Sequence, residues 1–259
     1  MTTDVSIKLG ETGPSFAKRY PGSARVTHST PNVDFYQIDW EQRAPGQVRV
    51  EHGKHSFVIE DALGVQAPQE LGDFKAEGLY NYTIFAGVSA SDLIPHDEAR
   101  LKTYAILKRI VDVGWKTTTP RSRPRLKGQA RLDYVLDASS SVGLDPRQIP
   151  TFEEWMRIES HTPWSFYADG LYMEVSFTRE RTLTDPTKPG SYLLTFNIKT
   201  ETEYFRGFAG PDNRLRWKEV LPQELAKVAV TRAQKETELR AKGVPIDESY
   251  QDPPVPALK

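Results

Sequence analysis

The pair Asp169-Gly170 limits what this chain can fold into more than any other short feature. Alternating apolar residues flank it on both sides. In that setting an Asp-Gly pair favours a β-hairpin turn, because the turn needs a positive φ that glycine adopts at little cost. Apolar side chains are then expected to meet across the hairpin: Trp164, Phe166, Met173 and Val175.

Two longer runs repeat the same alternation. "LYMEVSFT" (171–178) and "YLLTFNIK" (192–199) each place apolar residues at every second position. This period predicts two half-buried antiparallel strands joined by the loop "TDPTKPG". Runs rich in aromatic and β-branched residues predict further strands upstream, over 33–40, 47–60 and 78–90.

Helices are predicted by apolar repeats at helical spacing and by their end signals. The first one runs from Pro95 to Gly114, with Asp97 and Glu98 placed to complement its positive N-terminal end. Three more helices are predicted: one over 130–138, one over 151–159 with Thr151 as N-cap and Glu154 placed for a capping box, and a final one over 222–242.

The order of these elements predicts an α+β protein with two lobes, each a small, mostly antiparallel sheet covered by helices. A basic stretch broken by prolines is expected to join the lobes. The predicted organisation is an irregular lead-in over 1–30, a first lobe over 31–115, the connector over 116–128, a second lobe with the C-terminal helix over 129–243, and an extended tail over 244–259.

Composition narrows the function classes. The 34 basic and 35 acidic side chains give a net charge of -1, so no overall attraction to nucleic acid or anionic membrane is expected. The sequence has no cysteine, which excludes disulfides, thiolate metal sites and cysteine nucleophiles. No apolar run is long enough to span a bilayer. The polar N-terminus lacks a signal core, although removal of a signal or anchor would leave such a beginning.

His52 and His55 are the candidates for a metal site. They flank a Gly-Lys pair, and a tight turn there would bring the two imidazoles opposite each other, with Glu51 or Glu60 nearby. The spacing places no third ligand on the same face. The favoured interpretation is a pair of solvated turn histidines, with no metal and no other cofactor.

Known catalytic motifs are missing from the sequence. It contains no phosphate-binding glycine loop, no "GxSxG" elbow and no "HExxH" pair. The serine run 139–141 falls in a loop without the strand–turn–helix context of a nucleophile. Paired carboxylates such as Glu153 and Glu154 lie in first helical turns, where the helix dipole accounts for them. The sequence therefore favours a protein that is not an enzyme.

A protein partner is the predicted ligand. The outward-facing residues of the second hairpin, Tyr167, Tyr172 and Glu174, are candidates for contact with it, because tyrosines dominate binding hot spots. Arg123 and Arg125, from the basic connector, are candidates for steering the encounter. For the basic run as a whole, the favoured interpretation is a solvated linker that partly pairs with acidic first turns of helices. Nucleic acid is not an expected ligand, because aromatic residues do not interleave with the arginines.

Two runs, "DEARLKTYAILKRIVDVGW" and "EEWMRIESHTPWSFYADGLYMEVSFTRE", resemble uncharacterised proteobacterial envelope proteins found among antibacterial (type VI) secretion systems. This resemblance implies a toxin-neutralising immunity protein or an accessory factor, with a periplasmic location favoured over a cytoplasmic one. It assigns no functional residues. Two alternatives remain open: a hydrolase with a His/carboxylate site between the lobes, and a structural subunit of an envelope assembly that docks through its C-terminal helix and tail.

Overall fold

The computed structural model describes residues 3–30, 32–138 and 142–256, so the serine run 139–141 lies outside the described residues. The strands are β1 Asp4–Ile7, β2 Arg25–Thr30, β3 Val33–Asp39, β4 Gly46–Val50, β5 Phe57–Glu70, β6 Asn81–Gly87, β7 Ile94–Pro95, β8 Lys116–Thr117, β9 Trp164–Ala168, β10 Leu171–Arg179, β11 Pro189–Gly190 and β12 Tyr192–Thr200. The α-helices are α1 Gly13–Arg19, α2 His96–Asp112, α3 Gly128–Ala138, α4 Phe152–Arg157, α5 Glu201–Arg206 and α6 Trp217–Ala241.

A single large sheet runs through both halves of the chain. Its strands follow the order β1-β4-β5-β6-β12-β10-β9-β8, and β3 pairs with both β2 and β5. Every pair is antiparallel except β1 with β4. The α+β class is confirmed. The predicted division into two lobes with separate sheets is not, because β6 of the first half pairs with β12 of the second from Asn81↔Lys199 to Gly87↔Leu193.

Burial explains why the halves join. Separate lobes would leave the β6 and β12 edges with unpaired backbone groups, a liability that pairing removes. The main core accordingly draws on both halves: Val65 and Ile84 belong to the same buried cluster as Val175 and Phe196.

No described helix combines the length and the apolar character needed to cross a membrane.

The two faces of the sheet are covered by different helices. On one face lies α2, whose Tyr104 makes an edge-to-face contact with Trp164 at 5.7 Å between ring centroids. On the other face, at one end, α5 and α6 enclose a second small core that includes Tyr172, Phe205 and Trp217. The predicted helices at α2, α3 and α4 are confirmed, and Thr151 and Glu154 form the predicted capping box.

The predicted irregular lead-in over 1–30 is wrong. Two strands and a helix lie there, and β1 extends the sheet beside β4 with Val5 and Ile7 buried. Thr12 caps α1 by accepting from the Ser15 amide, and Phe16 is buried beneath that helix. The elements are short, and glycines and prolines surround them, so local periodicity did not reveal them.

The connector over 116–128 is not a solvated linker. Its first residues form β8, which pairs with β9 at the sheet edge. Its cations pair with acids of α6 and of the tail, not with the first turns of helices: Arg121 with Asp252, Arg125 with Glu236 and Glu248, and Lys127 with Asp247. The described part of the tail, residues 244–256, contains neither helix nor strand. Helix α6 and the tail are therefore already docked on their own chain.

The predicted hairpin at Asp169-Gly170 is confirmed. Both turn residues have positive φ, 35° and 87° respectively, as the two-residue hairpin turn requires. The register places Met173 opposite Phe166 and Val175 opposite Trp164. The need for two positive φ angles therefore accounts for the Asp-Gly pair at this turn.

Replacing Gly170 with valine should lower the free energy of unfolding by roughly 1–3 kcal/mol, because a β-branched residue is strained at positive φ. Denaturant unfolding measures the change. Gly72→Val is the matched control: Gly72 is exposed, its φ is not positive, and an added Cβ there meets no atom within 4 Å. Equal stability of Gly170→Val and the wild type would contradict the turn assignment.

Candidate functional site

A well-defined cleft with a volume of about 410 Å³ lies between helix α2 and the sheet. Its floor is apolar and comes from three neighbouring strands and from the helix: Ile59, Ala86, Val88, Ile106, Leu194 and Phe196. Its rim is polar and includes the exposed residues Glu60, Lys102 and Arg109. An apolar floor with a few convergent polar groups is the usual form of a binding site.

Asp61 stands at the rim of this cleft in a distorted part of β5. The ladder between β5 and β4 shifts register between Gly46 and Val48, and the ladder between β5 and β6 shifts between Ala62 and Gly64. Asp61 itself has a φ of 51°, which is uncommon for a residue with a side chain. Bulges and strained residues of this kind occur preferentially at binding and active sites.

The Asp61 carboxylate is unpaired within the described residues: it makes no hydrogen bond and no ion pair there. Its pKa is raised above the ordinary value, chiefly because partial burial removes water from the carboxylate, and also because Glu60 lies close by. Attraction to Lys102 acts in the opposite direction and is the smaller effect. A partly desolvated carboxylate without a donor among the described residues makes Asp61 the candidate binding group of the cleft.

Both cations on the rim already have partners. Arg109 Nη1 lies 2.8 Å from Glu60 Oε2, and Lys102 Nζ lies 3.0 Å from Glu98 Oε1. All four side chains are about half exposed, so each pair is weak and can rearrange when a ligand arrives. The cleft therefore contains one carboxylate without a donor among the described residues, that of Asp61, and two cations, Lys102 and Arg109, whose charges are largely neutralised.

A second cavity of about 190 Å³ continues from the first. The two share Asp61, Gly87, Ser89 and Ala90 in their linings. The second cavity adds Asp92, whose Oδ1 accepts hydrogen bonds from Gln42 Nε2 at 2.6 Å and Ser191 Oγ at 3.4 Å. Asp61 thus lies where two adjoining cavities meet.

His52 and His55 lie beside the second hairpin, where they hold the two halves of the chain together. Nε2 of His52 donates to the carbonyl of Ala168 at 2.9 Å. Nδ1 of His55 donates to the carbonyl of Val113 at 2.7 Å, and its Nε2 lies 3.2 Å from Asp169 Oδ2. The expectation of solvated histidines is wrong for His55, which is buried. Among the described residues, no group of three or more His, Cys, Asp or Glu is arranged to hold a metal.

Zinc should leave the thermal transition of this protein unchanged, because three of the four ring nitrogens of His52 and His55 already contact protein oxygens. The measurement is thermal unfolding with added zinc and with a chelator. A zinc-dependent rise of several degrees that disappears in a His52→Ala, His55→Ala double variant would show a metal site.

Another histidine, His96, belongs to a buried hydrogen-bond network. The Tyr192 hydroxyl accepts from Arg179 Nε at 3.1 Å and from Trp155 Nε1 at 3.3 Å. Its own proton is therefore donated to Nδ1 of His96, 2.5 Å away. Nε2 of His96 then carries the ring proton and donates to the Asp185 carbonyl at 3.1 Å. This network keeps His96 neutral and ties the start of α2 to β12.

Acidification should destabilise the fold through His96. Burial, aided by the positive charge of Arg179, lowers its pKa below the ordinary 6.5, so the unfolded chain binds the proton more readily. The stability that the neutral ring contributes is complete above about pH 6.5 and falls as the pH drops below that value. Unfolding measured from pH 7 to pH 5 should show this slope.

The matched variants are His96→Gln, which should have a shallower slope, and His161→Asn, which should keep the wild-type slope. His161 is exposed and has a φ of 69°, a conformation that asparagine tolerates. An unchanged slope in a folded His96→Gln protein would show that other groups cause the pH dependence.

The predicted contact residues of the second hairpin do not form one exposed surface. Tyr172 is only 4% exposed, because Tyr204 of α5 stacks on it at 3.6 Å between ring centroids. Tyr167 is half-buried beside Tyr172, and Glu174 is exposed. The expected outward position of Tyr172 is therefore wrong: it faces away from the main core, but α5 covers that face.

The predicted steering residues have different surroundings. Arg125 makes two contacts with Glu236, from Nε at 2.8 Å and Nη2 at 2.7 Å, and a further one with Glu248 at 3.2 Å. This arrangement lowers the pKa of Glu236, chiefly through the hydrogen bond from Arg125. The carbonyl of Arg123 accepts from Arg232 Nε at 2.9 Å, and its side chain is half-buried. Arg125 is consequently a structural anchor.

The sequence-based analysis does not select Asp61, and the feature that points to it is the burial pattern of β5 in the structure. Along β5 the buried positions are odd-numbered at Phe57 and Ile59, even-numbered at Ala62, and odd-numbered again at Val65. Such a change of parity within one strand indicates a bulge. The bulge falls at the acidic pair between Ile59 and Ala62, and an acid at a bulge is a reason to examine that position.

Comparison with protein-family models, with curated proteins and with solved structures finds no match for this chain. Its site is therefore interpreted from its own geometry.

Proposed function

We propose that this chain is a non-enzymatic protein-binding module and that its partner enters the cleft between α2 and the sheet. One observation carries the proposal: the cleft joins an apolar floor to an unpaired carboxylate at the junction of two cavities. Two large apolar side chains near the cavities in sequence extend the surface that a partner can cover: Leu93, which follows Asp92 of the second cavity, is 52% exposed, and Leu101, one turn before Ala105 on α2, is 50% exposed.

The biological role that we propose is that of a toxin-neutralising immunity protein or an accessory factor of an antibacterial secretion system, located in the periplasm. Its support is the resemblance of the two sequence runs over α2 and over α4 to β10. The helix α2 that forms one wall of the cleft lies in the first of those runs. Neither nucleic acid nor a cofactor is part of the proposal.

The second hairpin is a further candidate contact surface. Glu174 is exposed and Tyr167 is half exposed, so both can meet a partner without rearrangement of the fold. Tyr172 could contribute only if α5 moved away, and Arg125 only if it left Glu236.

A hydrolase has less support than a binding module. His55 and Asp169, which come from the two halves of the chain, do meet at 3.2 Å. However, both ring nitrogens of His55 face oxygens of the protein itself, Nδ1 the Val113 carbonyl at 2.7 Å and Nε2 the Asp169 carboxylate, so neither is directed at a substrate. A structural subunit that docks through α6 and the tail is likewise less favoured, because both are engaged with the connector.

The test blocks the cleft without disturbing the core. Ala105 lines the cleft and is exposed on α2, so Ala105→Trp should fill the cleft while the protein stays folded. Immobilised protein is used to capture partners from cells of the native organism. We expect one partner to be retained by the wild type and its retention to fall roughly tenfold or more in Ala105→Trp, as for loss of a binding hot spot.

Lys108→Trp is the matched control, since Lys108 is exposed on the same helix and does not line the cleft. It should retain the partner as the wild type does, and Glu174→Ala reports on the second hairpin. Equal retention by Ala105→Trp and the wild type would show that the cleft is not the binding surface. Retention of no specific partner by the wild type would contradict the proposed function itself.

A further inference from the structure

We propose that Asp61 binds the cationic end of a lysine or arginine side chain, supplied by the protein partner, whose aliphatic stem lies on the apolar floor of the α2 cleft. This inference rests on the proposed function, because the cation belongs to a protein. It adds the chemistry by which the cleft recognises that partner.

The charges around Asp61 favour a positive ligand. Three carboxylates line the two cavities, those of Glu60, Asp61 and Asp92, against the two cations Lys102 and Arg109. A fourth carboxylate, Glu98, lies 3.0 Å from Lys102 and neutralises it from outside the cleft. Acids therefore exceed bases at this place on a chain whose overall net charge is only -1.

The hydrogen bonding of these acids singles out Asp61. Glu60 accepts from Arg109 at 2.8 Å, and Asp92 accepts from Gln42 at 2.6 Å. Asp61 accepts from none of the described residues. A partly buried carboxylate gains most from a charged donor when water has already been partly removed from it, and an ammonium or guanidinium group supplies such donors.

The backbone holds this carboxylate in a fixed place. Asp61 is at a bulge where β5 changes its pairing from β4 to β3, and the next residue, Ala62, is paired with both Gly46 and Ala86. A carboxylate held at a bulge loses little conformational entropy when a ligand binds. Asp61 already has the uncommon φ of 51° before the ligand binds, so binding requires no further backbone strain.

The floor of the cleft suits the stem of a long basic side chain. Lysine and arginine carry three or four methylene groups that favour apolar surface, while the charged end reaches polar partners. Ala86 and Leu194 are cross-strand neighbours on the floor, and both are buried. A side chain that lies over them with its end at Asp61 satisfies both the apolar and the acidic parts of the cleft.

The experiment uses small cations that imitate these side chains. The full-length protein, labelled with nitrogen-15, is titrated at neutral pH and low salt with n-butylguanidinium and n-butylammonium, and with uncharged n-butylurea as the control ligand. We expect saturable shifts of the amide signals of Asp61, Ala62 and Ser89 with at least one cation. A dissociation constant on the order of millimolar is expected for so small a ligand.

Asp61→Asn should weaken the binding of the cation about tenfold or more, because it removes the charge and leaves a residue that tolerates the same backbone conformation. Asp112→Asn is the matched control and should change binding by less than about threefold, since Asp112 is exposed on α2, lines neither cavity and pairs with Lys108 at 2.6 Å. If Asp61→Asn does not fold, the comparison of n-butylurea with the cations in the wild type decides the question.

The inference is overturned if neither cation gives saturable shifts at the cleft, if n-butylurea binds as well as the cations, or if folded Asp61→Asn binds them as the wild type does. None of these results affects the partner capture by Ala105→Trp and Lys108→Trp. Loss of capture in Ala105→Trp together with failure of the cation titration would leave the cleft as a protein-binding site with a different ligand chemistry.

Discussion

The pairing of β6 with β12 is the interaction on which the rest of the structure depends. It joins strands that lie more than a hundred residues apart in sequence into one ladder and so unites the two halves around one core. Helix α2 can form the wall of a cleft only because β5, β6 and β12 are neighbours beneath it. Without this ladder the floor of the cleft would be split between two separate sheets.

The bulge in β5 gives the cleft its chemistry. A strand of 14 residues that pairs first with β4 and then with β3 cannot keep a single register, and the irregularity falls around Asp61. Asp61 has no partner strand residue at this irregularity, and its carboxylate has no donor among the described residues. The change of pairing partner from β4 to β3 is therefore also what places Asp61 at the rim of the cleft.

Local features could be predicted from the sequence, and long-range ones could not. The alternation in β10 and β12, the Asp-Gly turn and the capping box of α4 depend on neighbouring residues, and all are confirmed. The β6–β12 ladder and the cover of α5 over Tyr172 depend on partners distant in sequence, for which periodicity has no signal. The packing of the basic connector is likewise beyond local sequence patterns, because its acidic partners lie more than a hundred residues later in the chain.

The ion pairs among α6, the connector and the tail differ in how far their side chains are buried. Glu236 is almost wholly buried in its pair with Arg125, whereas Lys127 and Glu248 are mostly exposed in theirs. Dissolved ions weaken exposed pairs far more than buried ones. Rising ionic strength therefore weakens the outer ion pairs of this C-terminal arm most, and it weakens the buried pair of Arg125 with Glu236 least.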